Sequence, residues 1–151
     1  MKLAEALIIR ADLHKRLEQL KARIHNNLVV QEGTSPAEDP KALIREMVAL
    51  EEELEAIIIR INKTNQAQAF NDTMTLSDAI TKRERLMDER NFFANVVREA
   101  STGQVRYSNS EIRMIPMLDA AKLQKEVDRL SKEYRELDME LQAKNWTTEL
   151  L

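Results

Sequence analysis

Leu43, Met47, Leu50, Leu54, Ile57 and Ile61 recur at alternating intervals of four and three residues. At about 100° per residue these positions fall in one narrow apolar stripe along a helix. Leu123, Val127, Leu130, Tyr134, Leu137 and Leu141 repeat the spacing near the C-terminus. Two heptad seams of similar length predict two long helices packed against each other, as in a coiled coil. Leu3, Ala6, Leu7, Leu13, Leu17, Leu20, Ile24 and Leu28 share roughly 140° of arc and predict a first helix over residues 2–30. Leu76, Ala79, Ile80, Leu86, Met87, Phe93, Ala94 and Val97 predict another over 76–100.

The breaks agree with this division. Residues 31–39 contain Gly33, and Ser35 with Glu38 reads as a capping box with Pro36 at the first helical position; Asp39-Pro40 offers a second start. The second helix therefore runs over 37–64. Asn65–Thr75 is polar and turn-rich, and Thr75 with Asp78 opens the third helix. Gly103 stops it. In the loop 101–118, Val105-Arg106-Tyr107 and Ile112-Arg113-Met114-Ile115 are placed to pair as a short β-hairpin, or to form an extended excursion, before Pro116 and the cap Asp119. The fourth helix spans 120–144, and a tail carrying Trp146 is expected to fold back on the helices. The expected fold is all-α: four long helices in an antiparallel, coiled-coil-like bundle, as one domain over 1–151.

Composition supports this picture. With 151 residues the chain has the length of one domain and can bury roughly 70% of its extended surface. Charged residues make up 32% of it, with only 2 Gly and 3 Pro, a balance that suits long wet-faced helices. Aromatic content of 4% leaves the core to Leu, Ile, Val and Met. A net charge of -3 with interspersed signs lacks the concentrated basic surface of a nucleic-acid binder. The absence of cysteine excludes disulfides, Cys-bound zinc and thiol catalysis, and fits a reducing compartment. The first residues are apolar but broken by Glu5, Arg10 and Asp12, too short and charged for a signal peptide or a membrane span. A cytoplasmic protein without stable membrane insertion is expected.

Candidate chemistry centres on arginine. Arg10 lies inside the apolar arc of the first helix, and Arg83 and Arg90 stand one heptad apart on the apolar face of the third. A guanidinium in such a stripe needs hydrogen-bonded counter-charges. Glu46 and Glu53, with Arg60, flank one seam, and Glu126, Glu133 and Glu140 flank the other. A buried network of Arg10, Arg83 and Arg90 with Glu46, Glu53, Glu126 and Glu133 is the expected device for fixing helix register and subunit pairing. The same groups would serve an enzyme or small-anion site, but no His, no Glu-x-x-His and no Gly-rich phosphate loop accompanies them. His14 and His25 are single and distant, without metal-ligand spacing. No enzyme, cofactor or metal is expected.

Arg106, Tyr107 and Ser108 form the most recognition-like loop, with a fork donor, a ring and a hydroxyl. The second helix carries a further stripe, Ile44, Val48 and Ile59, which together with Trp146 is the expected contact with other subunits of a homo-oligomer.

Five segments, in order, carry a resemblance: Met1-Lys2-Leu3-Ala4-Glu5-Ala6-Leu7-Ile8-Ile9-Arg10-Ala11-Asp12-Leu13, Val30-Gln31-Glu32-Gly33, Arg60-Ile61-Asn62-Lys63-Thr64-Asn65, Arg106-Tyr107-Ser108-Asn109-Ser110-Glu111-Ile112 and Asn145-Trp146-Thr147-Thr148-Glu149-Leu150. Together they resemble the septicolysin-like family of small bacterial proteins. The resemblance implies a bacterial helical protein and supplies no catalytic residues; the family's name implies a cytolysin-like, membrane-perturbing alternative. No segment is long, apolar or alternating enough to span a bilayer. The functional expectation is a non-enzymatic structural or protein-interaction protein that self-associates, its small-molecule ligand, if any, unknown.

Overall fold

The computed structural model describes residues 1–102 and 114–151. Four helices follow one another: α1 (Leu3–Asn26), α2 (Pro40–Ala67), α3 (Leu76–Thr102) and α4 (Ala120–Thr147). Among the described residues there is no strand; the only β pairings are isolated bridges, Lys2 with Glu149 and Ala69 with Thr75. Of the expected hairpin only Met114 and Ile115 are described, and they are not in a strand; its remainder and the recognition loop Arg106, Tyr107 and Ser108 lie outside the described residues.

The chain divides into two compact units. The first comprises Met1–Gln68 with Lys144–Leu151, the second Ala69–Ala143.

In the first unit α1 packs against α2. Leu3, Ala6, Leu13, Leu17, Leu20 and Ile24 are buried on one, and Leu43, Leu50, Leu54, Ile57, Ile61 and Thr64 on the other. Heptad spacing thus places the seam of α2 in the interior, as the stripe requires. The two helices run antiparallel, because residues 148–151 bind both the start of α1 and the end of α2: Leu3 N donates to Thr148 O at 2.9 Å and Leu151 N to Thr64 Oγ1 at 3.0 Å.

The start of α2 uses the second of the two signals. Asp39 Oδ1 accepts from Lys41 N at 3.0 Å with Pro40 in the first turn, which satisfies a helix-end donor. Glu38 is diverted from the Ser35 box: its carboxylate takes the Arg23 guanidinium, Nε at 3.1 Å, and its N donates to Asn27 Oδ1 at 3.0 Å. The side chain of Asn27 also donates to Arg23 O at 2.8 Å. This buried asparagine ends α1 at Asn26, four residues short of the expected limit, and leaves Leu28, Val29 and Val30 exposed. Gly33, at φ 83°, supplies the left-handed turn of the connection.

The second unit opens with a tight turn. Asn71 Oδ1 accepts from Thr73 N and Met74 N, and Phe70 N donates to Met74 O at 2.8 Å. Thr75 and Asp78 then cap α3 reciprocally: Thr75 N and Oγ1 donate to Asp78 Oδ2, and Asp78 N donates to Thr75 Oγ1. Leu76, Ala79 and Leu86 of α3 are buried, as are Val127, Leu130, Leu137 and Leu141 of α4. Asp119 caps α4 through Ala121 N and Lys122 N.

The seam of α2 lies in the first unit and that of α4, residues 123–141, in the second. Spacing defines that a stripe exists but not its partner. Each seam has a neighbour closer in the chain: α2 packs against α1, and α4 is hydrogen-bonded to α3.

Candidate functional site

The arginines of the third helix hold its register against the fourth. Arg83 NH1 donates to Asp138 Oδ1 at 2.7 Å, and Arg90 Nε donates to Ser131 Oγ at 3.2 Å. Seven residues forward on α3 match seven residues back on α4, so the two helices are antiparallel with one fixed register. Both members of the Arg83–Asp138 pair are about a third exposed, at 27% and 32%. Arg90 also donates to its neighbour Asn91 at 3.0 Å.

The carboxylates expected to meet these arginines go elsewhere. Glu126 and Glu133 hold Arg129 on their own helix, the latter at 2.8 Å, where intrahelical spacing of three and four makes a partner available without tertiary packing. Glu46 and Glu53 are exposed on α2, and Arg10 is half-buried on α1 in the other unit from Arg83 and Arg90. The candidates therefore form no common network among the described residues. Asp138 was missed because its row is defined only once Arg83 is placed opposite it.

Where partners shift a charge, they favour the ordinary ionised form. Hydrogen bonds from Arg23, Thr75, Arg129 and Lys2 hold Glu38, Asp78, Glu126 and Glu149, respectively, below the usual carboxylate range. Arg23 and Arg129 are raised by the same hydrogen bonds with Glu38 and Glu126.

Sequence reasoning also missed a strap that closes the first unit. Leu150 N donates to Met1 O and Arg60 Nε to Leu151 O, each at 2.9 Å, while Lys2 Nζ reaches Glu149 at 2.5 Å. Leu3 and Thr64, beneath it, are fully buried, and Thr64 Oγ1 both donates to Arg60 O and accepts from Leu151 N. Trp146 precedes the strap and is exposed, as are Ile44, Val48 and Ile59 on α2.

An open groove of about 290 Å³ lies within the second unit. Phe70, Met74, Leu86 and Leu137 supply its apolar part, with Lys82 and the α4 row Glu133, Glu136 and Glu140 supplying charge. At the opposite end of α4, Met114, Ile115, Met117 and Leu118 are exposed in sequence. Among the described residues no group of three or more metal-binding side chains occurs, and no helix is long and apolar enough to cross a membrane.

The model of a family of unknown function, DUF6847, matches residues 10–150. A crystal structure titled as that of a functionally unknown conserved protein from Corynebacterium diphtheriae is similar at 37% identity, with a TM-score of 0.94 over 100% of this chain and 99% of that one. No curated protein matches. The septicolysin-like resemblance is thereby corrected: its five segments are short, whereas the family match runs through nearly the whole chain, and neither match indicates that family.

Proposed function

The chain belongs to the DUF6847 family of unknown function, and we propose that it acts as a non-enzymatic interaction protein that self-associates. The observation that carries this reading is a second apolar face on α2. Ile44, Val48 and Ile59 are 42–45% exposed although the seam of the same helix is buried. Exposed apolar positions in a row are costly unless another surface covers them. Trp146 adds a large side chain of the kind enriched at interfaces.

The electrostatics is that of paired surface charges. The carboxylates with shifted pKa values are all held further into their ionised form.

Light scattering coupled to a size column tests the reading. A mass at least double the 17.5 kDa of one chain is expected at micromolar concentration. Ile44→Lys combined with Val48→Lys is expected to weaken assembly, and unchanged assembly would remove this face from the contact. A single-chain mass over the whole concentration range would remove the proposal.

A further inference from the structure

Along its outer face α2 segregates charge by sign. Lys41 and Arg45 come first and Glu51, Glu52 and Glu55 follow further along, all exposed. Exposed charges on α1, α3 and α4 pair three or four residues away on their own helix, as in Glu18 with Lys21, Arg85 with Glu89 and Lys132 with Glu136. On this face of α2 the neighbours at that distance are apolar or of like sign. Lys41 has Ile44 and Arg45 ahead of it, and Glu51 has Met47, Val48, Leu54 and Glu55 around it. Like charges four residues apart on a helix repel. Lys41 also stands in the first turn, where the helix dipole favours an acidic side chain and none is present. Among the described residues neither Lys41 nor Glu51 forms an ion pair.

Between the two signs lie Ile44 and Val48, 42% and 45% exposed. They sit about 100–150° around α2 from its buried seam, so another helix can lie along them without displacing α1.

The order cation, apolar, apolar, anion is its own complement when reversed. Lys41, Ile44, Val48, Glu51 and Glu55 come at alternating intervals of three and four, so two antiparallel copies of α2 can set layer against layer only in registers one heptad apart. In one register Lys41 faces Glu51 and Ile44 faces Val48, each pair occurring twice about a two-fold axis. Slipped by a heptad, Ile44 faces Glu55 and Val48 faces Glu51, which buries carboxylates against apolar side chains. Slipped again, Glu51 meets Glu55. A parallel pairing sets every charge against its like. Charge therefore selects a single orientation and register.

We propose that α2 of one copy packs antiparallel on α2 of a second over residues 41–51, Lys41 of each paired with Glu51 of the other and Ile44 seated against Val48. The proposal rests on the self-association read above and assigns its surface; Ile59 and Trp146 lie outside the contact. Roughly three helical turns from each copy make a small interface, below about 1,200 Å² in total. The ion pairs then decide whether it forms.

Charge reversal tests this. Lys41→Glu and Glu51→Lys, each alone, put like charges into the same two layers and should raise the dissociation constant, followed by light scattering against concentration, at least about tenfold. Combined, they restore opposite signs and should return it to within about threefold of the parent. The two positions are roughly 15 Å apart along their own helix, so rescue reports a contact between chains. Glutamate suits the start of a helix, and the helical circular dichroism of all three variants should match the parent. Salt at about 0.5 M, which screens exposed charges within a few ångströms, should weaken parent and double variant alike.

Dimers that tolerate both single reversals overturn this register and leave self-association standing. Single reversals that weaken assembly without rescue in the double variant overturn the pairing of Lys41 with Glu51. A monomer at all concentrations overturns self-association and the register with it.

Discussion

Thr64→Val isolates the bond on which the strap of the first unit depends. The hydroxyl is fully buried, donates to Arg60 O at 2.8 Å and accepts from Leu151 N at 3.0 Å. Valine keeps the shape and differs little in helix propensity, so packing is unchanged to first order. The Arg60 carbonyl retains its helix partner, but the Leu151 N–H loses its acceptor. A buried donor left unpaired costs about 1–3 kcal/mol. Leu151 itself is half exposed and water can reach part of its backbone, which places the expected loss near 1 kcal/mol.

Urea unfolding followed through Trp146 reads this directly, because the chain's single tryptophan belongs to the same unit as Thr64. The midpoint should fall with an unchanged slope. Amide exchange separates the hydroxyl from packing: the Leu151 amide should exchange faster in Thr64→Val and at the parental rate in Thr64→Ser. Parental midpoint and parental Leu151 exchange in the valine variant would refute the assignment.

Other expectations follow from the same geometry. Glu38 and Glu149 have folded pKa values below their ordinary range, so the unfolded chain binds more protons across that interval. Their contribution is complete above the ordinary carboxylate value and is lost as pH falls through the lowered one; Glu149→Gln should flatten the acid limb of stability against pH measured at Trp146. Leu130→Ala, at a site 1% exposed, should cost about 2–5 kcal/mol by chemical unfolding of the second unit, and a loss below 1 kcal/mol would mean that the site collapses or is not packed. A double-mutant cycle on Arg83 and Asp138 should give a coupling of at most about 1 kcal/mol, since both ends are partly solvated; a coupling of several kcal/mol would mark the pair as desolvated.

The helices were legible because their signals are local. Heptad intervals marked the stripes of α2 and α4, and Thr75 with Asp78 marked the start of α3. Contests between local signals were not legible. Ser35-Pro36 and Asp39-Pro40 both announce a helix, and the outcome turns on Glu38, which is taken by Arg23 and Asn27 across the connection. Tertiary pairing was harder still. A stripe carries no address: seam length matched α2 to α4, while within the first unit α2 packs against α1 across the connection 27–39. The arginine partners failed for a related reason. Rows of glutamate at heptad spacing look available, but Arg129 lies three and four residues from Glu126 and Glu133 and takes both, leaving Asp138 to Arg83.

Three of the segments that suggested a different family converge in space. Met1–Leu13 opens α1, Arg60–Asn65 contains the strap's acceptor and donor, and Asn145–Leu150 leads into the strap. Their side chains are occupied: Leu3 and Thr64 are buried, Arg60 and Lys2 are bonded, and Glu149 is paired. A resemblance carried by such pieces reports how one end of the first unit closes, and closure is a requirement of the fold. Function must use groups that closure leaves available. Among the described residues those include the exposed apolar positions of α2 and the Met114–Leu118 segment, which gain by being covered. That is the physical ground on which contact with another chain is proposed.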